Sequence, residues 1–214
     1  MTTTCIIPLR NNDDGRYLRY ALRSLTQQGV TRCILVGGKP RWYVGDHVPF
    51  PDYTPERKEE NIRDKVHAGA KLATEFIFSN DDHMLLAPVT YAHNKGLLSQ
   101  TLIGRNPNGS YSRLLVNTMQ RYGDVPNADT HSPQVMTAAG VERCMFDWPK
   151  FGIGFKTCYC QENGVTTDYY PDLKLDRPAD VSGRLYFSTS DIYPVKALEK
   201  LWPTPCLFEA GYVS

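Results

Sequence analysis

Apolar positions in the first half of the chain recur with two different periods, in alternation. Thr4-Cys5-Ile6-Ile7 is a short apolar run closed by Pro8-Leu9-Arg10-Asn11-Asn12-Asp13-Asp14-Gly15, which predicts a strand and the polar loop that ends it. Leu18, Ala21, Leu22 and Leu25 then fall at i, i+3, i+4 and i+7, the spacing of one helix face, and the pattern stops near Gly29. Cys33-Ile34-Leu35-Val36 predicts a second strand that runs into Gly37-Gly38-Lys39-Pro40. A short strand is expected at His47-Val48. Beyond it, Thr54 is placed to cap a helix with Pro55 at its first position and Ile62, Val66, Ala70 and Ala73 on its apolar stripe. Phe76-Ile77-Phe78 is a third core strand, terminated by Ser79-Asn80-Asp81-Asp82-His83.

Parallel strands need crossover helices and bury both faces, so this alternation predicts an α/β fold: a mostly parallel central sheet with helices on both faces. Ligands of open α/β sheets bind outside the carboxyl ends of the strands. Three such ends carry Arg10-Asn11-Asn12, Gly37-Gly38-Lys39 and Asn80-Asp81-Asp82-His83, and these are expected to meet in space. Gly37 and Gly38 permit close backbone approach and Lys39 adds a cation, which suits a phosphate or merely forms a turn. The segment matches neither the phosphate loop of nucleotide hydrolases nor the dinucleotide fingerprint. Asp81 and Asp82 repel each other unless a cation or donors are supplied, and hard oxygen ligands favour Mg²⁺ or Mn²⁺. Side chains diverge at a strand end, so Asp82 is expected on the metal and Asp81 on sugar or ribose hydroxyls; the bland alternative is a solvated turn with His83 on the surface.

The second half is less regular. Lys95 to Leu102 and Ser110 to Tyr122 pattern as helices, separated by Gly104-Arg105-Asn106-Pro107-Asn108-Gly109, which is either a surface turn or a lid whose Arg105 and Arg113 touch a polyanionic acceptor. Asp124 to Ser132 reads as irregular, Phe155 to Cys160 and Leu185 to Ser188 as strands, and Gly164 to Asp168 as a loop. Asp172 and Lys174 have the spacing of an ion pair on one side of an extended segment. Asp191 is either a general base or a helix cap before Ile192-Tyr193-Pro194.

Composition narrows the class without naming a partner. The 214 residues, 41% hydrophobic and 22% charged, are ordinary for one folded domain, taken as 1–214. No apolar run reaches the ~20 residues of a membrane span, and Met1-Thr2-Thr3-Thr4-Cys5 lacks the segments of a signal peptide, so a soluble, cytoplasmic protein with no membrane contact is expected. The net charge of +1 removes the global basic excess of many nucleic-acid binders. None of the six cysteines forms a Cys-x-x-Cys pair; buried free thiols are expected, with Cys158 and Cys160 on one face of a strand.

Three blocks then carry a resemblance: Tyr17-Leu18-Arg19-Tyr20-Ala21-Leu22-Arg23-Ser24-Leu25, Ile34-Leu35-Val36-Gly37-Gly38-Lys39-Pro40-Arg41-Trp42 and Phe76-Ile77-Phe78-Ser79-Asn80-Asp81-Asp82-His83. They continue in Lys58-Glu59-Glu60-Asn61, Thr130-His131-Ser132-Pro133, Asp172-Leu173-Lys174 and Ser188-Thr189-Ser190-Asp191, and so span nearly the whole chain. In order and spacing they resemble a GT-A-like glycosyltransferase group that includes phage TET-associated glycosyltransferases and, more distantly, Stealth-type sugar-phosphate transferases.

The resemblance implies a single GT-A-like domain, with 1–90 as the nucleotide-sugar-binding half and 91–214 as the acceptor-side half, and metal-dependent transfer of a sugar from a nucleotide diphosphate donor, a UDP-sugar, to a hydroxyl. The implied acceptor is 5-hydroxymethylcytosine in phage DNA, which would place the protein in the host cytoplasm; no obligate protein partner is implied. Asn80-Asp81-Asp82 stands where such enzymes carry Asp-x-Asp, so Asp82 becomes the principal metal candidate. His131 is a candidate third ligand or active-site donor, and Asp172 and Asp191 are candidate catalytic residues. Donor contacts are expected from Pro8, Arg10, Asn11, Arg19, Arg23, Gly37, Gly38, Lys39, Lys58, Asn61 and Asp81. DNA would have to be held by a local cluster of Arg105, Arg113, Arg121, Lys150 and Lys156. A Stealth-like transfer of sugar phosphate to a glycan, and a non-catalytic nucleotide- or glycan-binding module, are the alternatives.

Overall fold

The computed structural model describes residues 3–89 and 92–212. In chain order the first half gives β1 (Thr3–Leu9), α1 (Leu18–Gln27), β2 (Val30–Gly37), β3 (Asp46–Val48), α2 (Lys58–Ala70), β4 (Glu75–Phe78) and β5 (His83–Leu85). Next come β6 (Ala92–Asn94), α3 (Leu98–Leu102), α4 (Ser110–Tyr122), β7 (Gln134–Thr137) and α5 (Ala138–Glu142). The chain closes with α6 (Phe155–Asn163), β8 (Thr167–Tyr169), β9 (Lys174–Leu175), β10 (Tyr186–Thr189) and α7 (Val195–Leu201).

The main sheet has the order β3-β2-β1-β4-β7, parallel except for β7, which runs antiparallel to β4. Alternation along the strands builds two cores. Cys5, Ile7, Leu9, Cys33 and Leu35 face the Leu18, Leu22 and Leu25 stripe of α1, whereas Ile6, Ile34, Val36, Phe76 and Phe78 face Val66 and Ala70 of α2 and Phe155, Cys158 and Tyr159 of α6. The expected α/β class, with helices on both faces of a mostly parallel sheet, is therefore present. A second sheet, β5-β10-β9, packs on the far side of α1 through Met84, Leu175 and Phe187, so the two halves of the sequence are interlaced. Among the described residues no helix is long and apolar enough to cross a membrane. All six cysteines are free and buried.

Several expected elements change. Phe155 to Cys160 is helix rather than strand; every one of these six residues is buried, so neither period stands out, and Gly164 in the left-handed region at φ 62° marks the helix end. Cys158 and Cys160 consequently share no strand face. The helix expected from Lys95 begins only at Leu98, because Gly96 turns the chain at φ 99°. Thr54 makes no capping bond; a single 3₁₀ turn, Pro55–Arg57, leads into α2. The supposed loop 164–168 runs into β8, which pairs with β6.

Candidate active-site cleft

The strand ends explain where the cleft opens. Pairing of β1 with β4 ends at Ile6–Phe78, while pairing of β1 with β2 continues to Leu9–Gly37. Pro8, Leu9 and Arg10 thus project past β4 at the point where strand order reverses, the place that open α/β sheets use for ligands. A cleft of about 530 Å³ lies there, with walls from these residues, from Asn80, Asp81 and Asp82, from α2, and from the segments around Tyr111, His131 and Asp191.

The acidic end carries Asp13, Asp81 and Asp82 together. Burial, and then the charges of Asp82 and Asp13, push the Asp81 carboxyl up to about 7. Asp82 is held 3.3 Å from Lys174 Nζ and 3.7 Å from the ring of His83. Lys174 therefore pairs with Asp82, not with Asp172 as its spacing suggests. His83 is fully buried, and Asn80 bonds its ring through the backbone N–H and the side-chain amide at 3.3 and 3.4 Å, which ties down the loop after β4.

Across the cleft stands a histidine–carboxylate pair. Asp172 Oδ1 accepts the backbone N–H of His131 at 2.8 Å, and Oδ2 lies 2.8 Å from His131 Nδ1. Burial pushes the Asp172 carboxyl up, but the His131 bonds and the charges of His131 and Lys95 outweigh it and hold it well below the usual carboxylate range. Whenever the ring is neutral, the Asp172 carboxylate fixes its proton on Nδ1 and leaves Nε2 as the acceptor. His131 thus binds Asp172; it does not join Asp81 and Asp82 in a three-ligand metal group among the described residues.

Below this pair, Lys95 Nζ reaches the Asp129 carbonyl at 2.5 Å and Asp172 at 3.4 Å. Asp129 accepts Lys156 N–H at 2.9 Å and Thr157 Oγ1 at 2.7 Å, seated on the positive end of α6. Lys156 is buried, with Nζ donating to Thr130 Oγ1 and Ser132 O at 2.9 Å each, and burial pulls its ammonium down to about 8. It is therefore unavailable as a surface DNA contact. Glu59, on the cleft wall of α2, is pushed up to about 7 by burial and then by Asp129.

Of the other expected contacts, Pro8, Arg10, Lys58, Asn61, Asp81 and Asp191 line the cleft. Arg19 and Arg23 do not: Arg23 forms a two-pronged pair with Glu209 at 2.6 and 2.8 Å, and Arg19 lies 3.3 Å from the same carboxylate and 4.7 Å from the Trp42 ring centre. Asn11 is also turned away, bonded to Asp52 and the Phe50 carbonyl. Gly37 and Gly38 serve strand packing instead of ligand approach, since a Cβ on either would run into the Leu9 or Arg10 carbonyl; Lys39 is exposed outside the cleft. Asp191 caps no helix, because α7 starts four residues later, and its carbonyl accepts Arg16 Nη2 and Tyr17 OH at 2.9 Å each.

Sequence reasoning missed Glu59, Lys95, Tyr111 and Asp129. Only Glu59 had a signal, its place beside Lys58 and Asn61 in a motif block. No protein-family model matches the chain, and no curated protein matches it.

Proposed function

We propose that this chain is a metal-dependent, GT-A-like glycosyltransferase that moves a sugar from a nucleotide diphosphate donor, a UDP-sugar, to a hydroxyl acceptor. The observation that carries this reading is that His131, bonded from behind by the Asp172 carboxylate, lines the same cleft as Asp81 and Asp82, at the switch point of the sheet. That arrangement suits proton removal from an acceptor beside a polyanionic leaving group.

The oxygen donors at the acidic end fit a hard divalent cation, because Asp81, Asp82 and Asp13 line one end of the cleft and burial, with the two neighbouring carboxylates, makes the Asp81 charge costly without a counter-ion. Asp82 and Asp81 would hold Mg²⁺ or Mn²⁺, whose chemistry is to neutralise charge on the departing diphosphate. Arg10 and Lys58 face the same cleft and add fixed positive charge for that group. Asn61 is held by the Pro51 carbonyl at 2.9 Å, presenting a positioned amide to the donor. His131 Nε2 takes the acceptor proton as the acceptor oxygen bonds to the anomeric carbon and the bond from that carbon to the diphosphate oxygen breaks. Asp172 orients the ring and stabilises the imidazolium. Asp191 loses the role of first candidate base, since Asp172–His131 has the supporting partner that Asp191 lacks.

The acceptor suggested by sequence resemblance is 5-hydroxymethylcytosine in DNA. Incubating the chain with hydroxymethylcytosine DNA, Mg²⁺ or Mn²⁺ and a panel of UDP-sugars, followed by nucleoside mass analysis, tests the reading. A hexose mass gain that disappears in Asp82→Ala is expected. A gain that includes one phosphate would establish the sugar-phosphate transferase alternative, and no turnover with any donor would leave a binding module.

A further inference from the structure

Of the five cations expected to form a basic surface, two are engaged elsewhere. Lys156 is buried beneath the cleft, and Arg121 pairs with Glu162 at 3.1 Å and lies 3.7 Å from the Phe146 ring centre. Each of the other three lies against an aromatic ring. The Arg105 guanidinium is 4.7 Å from the Tyr111 ring centre; Arg113 and the Lys150 ammonium are 4.8 and 5.4 Å from that of Phe151. Tyr111 and Arg105 line the cleft. None of these three cations forms an ion pair among the described residues, although the Glu56 carboxylate feels the charge of Lys150.

Phe151 is the unusual element. Its φ of 73° makes it the one non-glycine residue in the left-handed region among the described residues. A ring-bearing residue adopts that conformation only where its surroundings enforce it. Here Phe151 N–H donates to the Glu56 carbonyl at 3.0 Å, and Asn117 Nδ2 donates to the Lys150 and Gly152 carbonyls at 2.9 and 3.0 Å. Gly152 fixes the location, since a Cβ there would lie 3.1 Å from that of Glu59, which lines the cleft. The half-buried Phe151 ring therefore stands just outside the cleft wall formed by the first turn of α2.

We propose that Phe151, Arg113 and Lys150, beside the cleft that Arg105 and Tyr111 line, form a shelf for single-stranded nucleic acid. Rings flanked by unpaired cations match a flexible polyanion that carries flat bases, because bases stack on aromatic and guanidinium faces while phosphates take the charge. A duplex offers the phosphates but keeps its base faces stacked on one another. The inference names the form of acceptor for the proposed transferase and rests on that reading only for what happens to the strand once bound.

Fluorescence anisotropy of the full chain with labelled oligothymidylate, and with a duplex of equal length at the same salt, tests it without requiring chemistry. The single strand is expected to bind at least about tenfold more tightly than the duplex. Phe151→Gly, which suits the local backbone, is expected to weaken strand binding about tenfold with no loss in melting temperature, and Phe151→Tyr to retain it. Arg113→Gln combined with Lys150→Gln is expected to reduce the salt dependence by about one to two charges. UDP affinity should stay unchanged in all of these. Equal or tighter duplex binding, wild-type strand binding by Phe151→Gly, or dextran sulfate binding as tightly as the strand would overturn the shelf. Strand binding as expected with no sugar transfer sinks the transferase reading alone, and turnover on free 5-hydroxymethyldeoxycytidine without strand binding sinks the shelf alone.

Discussion

Replacing Arg23 separates the two roles that a basic residue on α1 can have. Its Nε and Nη2 donate to the two oxygens of Glu209 at 2.6 and 2.8 Å, and Nη1 donates to the Trp202 carbonyl at 2.7 Å. Both side chains are buried, at 8% and 4% exposure, so neither charge has water to fall back on. Removing one partner of such a pair costs about 3–5 kcal/mol. At this chain length each kcal/mol lowers the melting temperature by about 2–4 °C, which puts Arg23→Met about 6–20 °C below wild type. Arg19, 3.3 Å from Glu209, keeps part of the compensation and favours the lower half of that range. Replacing both partners by Met leaves no lone charge and recovers much of the loss. Burial pushes the Glu209 carboxyl up, but bonds from Arg23 and the Cys206 N–H hold it below its usual value. A folded pKa below the unfolded value of about 4.3 means that this stabilisation is present above that pH and fades as pH falls below it. The gap between wild type and Arg23→Met therefore narrows in acid. Circular-dichroism melts at several pH values, with calorimetric titration of UDP, make the measurement. If Arg23→Met melts with wild type while UDP affinity falls tenfold, Arg23 is a donor contact and the structural argument is refuted.

Asp172→Asn offers His131 Nδ1 no carboxylate acceptor to orient the ring, so kcat is expected to fall about 10²–10⁴-fold with donor KM nearly constant. Steady-state kinetics check this, and undiminished kcat would remove His131 as the base. Asp81 gives a pH test: its folded pKa of about 7 exceeds the unfolded ~3.9, so stability declines as pH climbs between those values. Asp81→Asn is expected to melt above wild type at pH 8, by about 1–3 kcal/mol after allowance for its half-exposure, and Mg²⁺ or Mn²⁺ to raise the wild-type melt alone. A variant no more stable than wild type at pH 8 would show that the carboxyl is not strained.

The main sheet and its first two long helices were readable because the strands, buried on both faces, are continuous apolar runs such as Cys5-Ile6-Ile7 and Cys33-Ile34-Leu35-Val36, while the helices bury one stripe, as Leu18, Leu22 and Leu25 do. Element α6 was not readable, since a helix buried from Phe155 to Cys160 leaves no polar face to set its period. The site divided along the same line. Residues on the carboxyl ends of strands, Arg10, Asp81 and Asp82, were placed by topology alone. Nothing in the spacing of Arg19 and Arg23 on α1 shows that both meet a carboxylate; only the fold of the distant Glu209 segment decides that Arg23 is buried against it and Arg19 lies beside it. Lys95, Asp129 and Lys156 lie far apart in sequence in unremarkable contexts, and their relation exists only once α6 docks.

That relation explains how a chain of net charge +1 can hold a strongly charged site. From His131 the charges alternate inward: Asp172, then Lys95, then Asp129 at the head of α6 beside Lys156. Each buried cation there has a carboxylate or carbonyl to offset its desolvation, which the low dielectric would otherwise make costly. Groups left outside this chain are of both signs. Arg10, Lys58 and Arg105 line the cleft without an ion pair among the described residues, while Asp81 and Glu59 are pushed up to about 7 by burial and then by neighbouring carboxylates. A ligand that brings both a cation and a polyanion satisfies the two sets at once, whereas an anion alone leaves Asp81 worse off. Nucleotide binding is therefore expected to strengthen with Mg²⁺ or Mn²⁺ in wild type, and to lose that dependence in Asp81→Asn.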